Sequence, residues 1–372
     1  MNQTQDFTKG VIWKQLLFFF FPILIGSFFQ QLYNTVDTII VGQAVGTSAL
    51  AAVGSTGNLT NLIVNFYVGL STGASVVIAQ YYGAQNNKKI HQAVHTSYIL
   101  AIVSGILMML FGLFFSYQCL DAIGTPHDIL NDATLYMQLY FLCMIPGAIY
   151  NIGAGILRAV GDSKRPLYYL IVCSIVNVVF DFIFVVIFHQ GIAGAAIATV
   201  IAQSVCAILV TIQLMRTNEV YKLTLSKMKF HLPVLKKIIM IGAPAGIQST
   251  MYSISNIVLQ SHINAFGTQT IASWSVYVKI DALFWMMIAA IGAAITTFAG
   301  QNYGAHLHDR IKKGTRTALA MAFVMTISIS TILCLTGSYI TRLFSSDPHI
   351  IEECYSLMLF LMPFYFLYCC VE

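Results

Sequence analysis

Charge is scarce in this chain. Only 9% of its 372 residues are Asp, Glu, Lys or Arg, where a soluble domain carries roughly 25%. Hydrophobic residues make up 58%, and they come in runs long enough to cross a bilayer. Together these exclude an ordinary soluble domain. The net charge of +5 sits in short connections, without a basic domain or an aromatic–basic platform, so nucleic acid is not an expected partner. The eight cysteines form no C-x-x-C pair and mostly lie inside apolar runs. That pattern argues against disulfides and metal sites and for buried thiols. There is no H-E-x-x-H and no G-x-x-x-x-G-K-[ST], so neither a zinc hydrolase nor a P-loop ATPase is expected, and no cofactor. The chain is not expected to be an enzyme. Work done by it must draw on an ion gradient or a partner.

Long apolar segments are present instead. They fall at 14–41, 51–80, 92–117, 130–155, 167–188, 191–215, 237–264, 271–300, 316–340 and 350–371, each long enough to span as a helix. This predicts an all-α membrane protein of about ten transmembrane helices. Lys9 and Lys14 precede the first run, but no A-x-A pattern closes it, so it reads as a spanning helix and not a signal peptide. Of the 19 Lys and Arg residues, 17 lie at the N-terminus or in the loops after the second, fourth, sixth and eighth segments; Lys279 and Arg342 are the exceptions. The positive-inside rule places the N-terminus and those loops in the cytoplasm, and the protein in the cytoplasmic membrane.

The sequence also repeats itself. "QYYGA" at 80–84 returns as "QNYGA" at 301–305, an offset of 221, and Ile90 and Thr96 return as Ile311 and Thr317. Pro22 pairs with Pro244, Tyr33 with Tyr252, Gly46 with Gly267 and Pro126 with Pro348, at offsets of 219 to 222. Six spans separate the copies, an even number, so both enter the membrane in the same orientation. The expected organisation is two pseudo-symmetric six-helix lobes. Residues 1–216 form the first and 217–234 a cytoplasmic linker. Residues 235–372 form the second with four helices, its last two absent, so the chain is expected to be a fragment of a twelve-helix protein.

Three acids stand well inside apolar segments: Asp37, Asp181 and Asp281. A carboxylate at mid-span costs about 2.5–3.5 kcal/mol on insertion scales, so it faces a protein interior or a water-filled cavity. Each is either a functional acid or a neutral packing hydrogen bond. Counted at 1.5 Å per residue from the outer helix ends, Asp37 lies about 6 Å deep, Tyr136 about 9 Å, Asp181 about 10 Å and Thr199 about 12 Å. Asn177 precedes Asp181 by one helical turn and shares its face. The spacing therefore permits one polar layer in the outer half of the first unit, able to take a proton or, with its oxygen ligands, Na⁺. Asp281, about 14 Å deep, is surrounded in sequence by Trp274, Tyr277, Phe284 and Trp285. An acid among aromatics suits an organic cation; the alternative is an interfacial aromatic belt with one structural acid. Pro22 interrupts the first segment and acts either as a static kink or as a hinge. His95 and His262, in apolar surroundings, read as hydrogen-bonded packing residues.

"YNTVDTIIVG" in the first segment, the paired "QYYGA" and "QNYGA", "ILRAVGDSKRP" after the fourth and "NVVFDF" in the fifth together resemble the multidrug and toxin extrusion (MATE) family, in its DinF-like bacterial branch. The resemblance covers essentially the whole chain. It implies a secondary antiporter that exports cationic, often aromatic drugs in exchange for H⁺ or Na⁺, through two lobes around a central cavity. By motif it assigns Asp37, Asn177, Asp181 and Thr199, with Tyr136 beside them, to a cation site. Asp281, with Trp285, falls to substrate binding and Pro22 to a bending position. Where the first copy has Asp37 the second has Asn256, so proton chemistry is expected in the N-terminal lobe. Expected partners are small cationic aromatic molecules and the lipid bilayer, with the protein a monomer. The alternative is a lipid-linked precursor flippase of the same two-lobe design. It would need basic groups to hold pyrophosphate, and Lys279 is almost the only one within the spans.

Overall fold

A computed structural model describes residues 4–45, 47–344 and 347–372, without the side chains of 47–51, 54, 55, 58, 59, 61–63, 264 and 268. Gly46, one of the paired positions, lies outside the described residues. Every regular element among them is helical: α1 (Ile12–Ala44), α2 (Thr47–Gly83), α3 (Asn87–Ala122), α4 (His127–Phe141), α5 (Met144–Ala159), α6 (Lys164–Asp181), α7 (Gly191–Arg216), α8 (Leu232–Asn264), α9 (Thr268–Gly304), α10 (His308–Thr341), α11 (Pro348–Leu361) and α12 (Tyr365–Val371). Among the described residues seven helical segments are long and apolar enough to cross a membrane, and α4 with α5 makes an eighth if taken as one span. α2 and α8 are as long but are not among the seven.

Two apolar segments that read as single helices are broken, and a proline explains each break. α4 and α5 meet at 43°. Pro146, in the first turn of α5, has no N–H to give the Leu142 carbonyl and its ring collides with that oxygen. Pro363 sits likewise in a 3₁₀ turn, Met362–Phe364, between α11 and α12. A third irregularity has no proline: α6 runs directly into a π-helical turn, Phe182–Ile187. α1, by contrast, stays helical through Pro22.

The two sequence copies interlock through their first two helices. α2 packs along α8, the most extensive helix contact among the described residues, α1 packs on α9, and α2 also meets α9. Small residues set these distances. A Cβ on Gly69 would strike the Gly246 backbone, and one on Gly73 the Gly242 backbone, the close approach expected where lipid gives helices no hydrophobic reason to associate. Residues 69–73 read G-x-S-x-G, a hydrolase spacing, but they lie mid-helix on α2 with no strand before them. Around this seam α1 packs on α6, α3 on α4 and α5, and α7 on α5 and α6. Outward-facing positions such as Phe114, Leu335 and Phe360 are 70–74% exposed, as lipid-facing residues are.

The long polar connection after α7 is not a loose tether. Tyr221 and Leu223 are buried, and the Thr224 amide donates to His95 Nε2 at 3.1 Å while His95 Nδ1 donates to the His91 carbonyl at 2.7 Å. The His231 amide donates to Thr96 Oγ1 at 3.2 Å. His95 thus fixes the connection to α3.

Candidate functional site

Four helices converge on the acids of the first unit. Asn177 and Asp181 are fully buried on one face of α6. Asp37 comes from α1, Thr199 from α7 and Tyr136 from α4. The carboxyl groups of Asp37 and Asp181 lie within hydrogen-bonding reach of each other. Yet Asp37 Oδ1 and both Asp181 oxygens find no donor, because two carboxylates offer each other only acceptors. Something positive is needed to join them, a shared proton or a cation. Asn177 Nδ2 donates to Thr199 Oγ1 at 3.4 Å, Thr199 Oγ1 donates to the Ala195 carbonyl at 3.1 Å, and the buried Asn177 Oδ1 is left over. Asp37, Asp181, Asn177 and Thr199 therefore present an all-oxygen set, which fits a hard cation as well as a proton. No Lys or Arg pairs with these acids among the described residues.

Aromatic packing encloses the layer. Tyr136 is buried and stacked on Tyr140, ring centroids 6.2 Å apart, and Val41, Val185, Ile192, Ala195 and Ala196 complete the apolar wall. The π turn begins at the residue after Asp181, and such turns favour functional sites. Nothing in the sequence signalled it. Nor did sequence reasoning single out Gln203, whose Nε2 donates to the Tyr33 hydroxyl at 3.4 Å between α7 and α1.

Asp281 belongs to a second, separate site on α9. Its Oδ2 accepts from Trp285 Nε1 at 2.7 Å and its Oδ1 from the Tyr365 hydroxyl at 2.5 Å. Tyr365 also shares a hydrogen bond with Tyr277. Phe284 lies 4.3 Å from Tyr365, and Trp285 lies 4.6 Å from Tyr368. The acid thus sits in an aromatic cage that keeps Trp285 40% exposed. Tyr365 and Tyr368 come from α12, too far along the chain for the local pattern to reveal. Lys279 makes no ion pair with it.

The duplicated Q-x-x-G-A motifs meet each other at the basic face. A Cβ on Gly83 would run into the Gln301 carbonyl oxygen, and one on Gly304 into the Gln80 carbonyl oxygen. Only glycine in both copies lets α2 and α9 cross there. The side chains then diverge. Gln301 Oε1 accepts from the Phe7 amide at 3.1 Å, and its Nε2 donates to the Ala159 carbonyl at 2.8 Å. Asn302 Nδ2 and Arg310 Nε both donate to the Phe7 carbonyl, at 3.1 and 2.9 Å. The Gln5 amide reaches the Gly161 carbonyl at 3.0 Å, where φ of +89° suits glycine. Residues 5–7 therefore strap the loop after α5 to α9 and α10. The side chain of Gln80 makes no hydrogen bond among the described residues.

Comparison with known proteins agrees with this architecture. The sequence matches the MatE family over residues 22–183 and 244–372. It is 26% identical to the probable multidrug resistance protein YoeA of Bacillus subtilis, an alignment covering 98% of this chain and 80% of that protein. It is also 26% identical to the probable multidrug resistance protein YpnP of the same organism, over 96% and 81%. A solved outward-facing multidrug resistance MATE family transporter of the MOP superfamily superposes with a TM-score of 0.92 at 25% identity, covering 99% of this chain and 82% of that one.

Proposed function

Because this chain belongs to the MatE family of multi-pass membrane transporters, which are not enzymes, we propose that it exports organic cations in exchange for H⁺ or Na⁺. One observation carries the reading: two intramembrane carboxyl groups face each other with no donor between them. Such a pair binds one positive charge well and two poorly. It can load an ion from one side of the membrane and release it to the other. Asn177 and Thr199 add oxygens for Na⁺; Tyr136 and its neighbours keep bulk water out. The caged Asp281, with Trp285 on its open side, is the binding point for the cationic drug, held by charge and by cation–π attraction.

The two units are residues 1–216 and 235–372, with 217–234 between them. They alternate around the α2–α8 and α1–α9 seams in a monomer whose basic face, N-terminus included, is cytoplasmic. The strap across that face supports reading this arrangement as an outward-facing state. Pro22, on α1 below Asp37, is where ion binding would bend the helix. The deciding experiment uses proteoliposomes and a fluorescent organic cation under imposed H⁺ or Na⁺ gradients. Gradient-driven efflux that is lost in Asp181→Asn supports the reading and names the ion. A folded wild type that moves the dye under neither gradient would overturn it for that substrate and favour a lipid-linked precursor as cargo.

A further inference from the structure

A small polar cavity lies between α1, α5, α6 and α7, running along α1 from Pro22 to Gln30, with Arg158 and Ser163 at its basic-face end. Its volume is about 100 Å³. Arg158 is its one charged wall, with Ser163, Gln30 and Gln203 as polar neighbours and Pro22 and Leu170 as apolar ones. Arginine keeps its charge at every accessible pH, and a largely buried guanidinium ordinarily has a carboxylate beside it. Arg158 has none: the one ion pair among the described residues joins Arg165 to Asp162, at 3.2 Å. The nearby Tyr150 hydroxyl donates elsewhere, to the Pro166 carbonyl at 3.3 Å. Arg158 lines this polar pocket, and its guanidinium makes no hydrogen bond among the described residues.

We infer that this cavity is an anion site, with Arg158 as the charge partner and Ser163 and Gln30 as hydrogen-bond donors to a small monovalent anion of the chloride type. The space admits a small anion: at roughly 30 Å³ per water it holds at least three waters, enough for chloride with one or two of them. The site is separate from the acids of the polar layer and does not depend on which cation they couple. Its position gives it a mechanical context. Arg158 immediately precedes Ala159, whose carbonyl Gln301 holds, and Pro22 of α1 also lines the cavity.

The test is a titration of potassium chloride against potassium gluconate at fixed ionic strength on the detergent-purified protein. Thermal unfolding is read by labelling of the buried free thiols Cys143, Cys173 and Cys206. Chloride should raise Tm saturably by about 2 °C, Arg158→Gln should abolish the response, and Arg158→Lys should move its midpoint to higher concentration. A wild type indifferent to chloride, or an Arg158→Gln protein that responds as wild type does, overturns the inference. Should Arg158→Gln fail to fold, wild-type crystals soaked in bromide decide. An anomalous peak beside the guanidinium supports the site, and a cavity without one refutes it.

Discussion

Replacing Gln301 by alanine should loosen the basic face while leaving the ion site intact. Gln301 holds the strap through two hydrogen bonds, accepting from Phe7 N–H and donating to the Ala159 carbonyl. Alanine removes both and orphans two buried backbone groups. Each such loss costs about 1–3 kcal/mol when the partner stays dry. Water can enter at a face of the protein, so the lower end applies, about 2 kcal/mol for the pair. At 1.4 kcal/mol per tenfold the strapped arrangement loses about 30-fold in population relative to the released one. Amide hydrogen exchange in nanodiscs reads this at Gln5, whose amide bonds the Gly161 carbonyl only while the strap is closed. Its exchange should accelerate about 30-fold. Gln80→Ala is the internal control. It changes the same motif in the other copy, whose side chain makes no hydrogen bond among the described residues, and should leave Gln5 protection unchanged. Equal acceleration in the two variants, or none in Gln301→Ala, would refute the reasoning.

Asp37→Asn should abolish gradient-coupled efflux and yet raise thermal stability, by about 1 kcal/mol, because the amide supplies the donor Asp181 lacks; a destabilised variant in a melting assay would contradict the pairing. Thr199→Ala should raise the apparent KM for Na⁺ about tenfold if Na⁺ is the coupling ion and leave H⁺-driven efflux unchanged, which transport at fixed pH separates. Tyr365→Phe removes one donor from Asp281 and frees a carboxylate lone pair, so a cationic dye should bind about three- to tenfold tighter by fluorescence titration, with ion dependence unaltered. Gly83→Ala should strain the α2–α9 crossing by about 1–3 kcal/mol, seen as faster exchange at Gln5 and Phe7.

Helical character and segment positions were legible from apolar run length alone, since a bilayer demands about twenty apolar residues whatever their order. The breaks were not, because Pro146 and Pro363 lie inside runs that composition treats as uniform. The polar layer could be read because Asp37 and Asp181 are expensive in lipid, and counting rise per residue put both in the outer half of the first unit, about 6 and 10 Å deep. What depth counting cannot supply is azimuth. It did not show that the two carboxyls face each other, nor that α6 leaves its ordinary winding at the next residue. Tyr365 and Tyr368 escaped for a different reason: Tyr365 reaches Asp281 from 84 positions away in the chain, and Tyr368 packs on Trp285 from 83. The repeated motif announced itself, but its use did not. The glycines serve the crossing in both copies, whereas only Gln301 has a strap to hold.

The π turn has a consequence for the chain's tolerance of length change. In Phe182–Ile187 the Phe188 amide bonds back five residues, to the Ile183 carbonyl at 2.9 Å, so the segment carries about one residue more than an α-helix of the same rise. Deleting Val186 should therefore be absorbed by rewinding to α. Asp181 and everything before it would keep their direction, and α7 its place. Deleting one residue between 168 and 176 instead turns Asp181 by about 100° relative to the start of α6, away from Asp37. The first deletion should give a folded protein that still couples, and the second a folded protein that does not. Proteoliposome efflux of the pair would show that the winding beyond Asp181 is a reserve of slack, placed where the chain can spend it without losing the site.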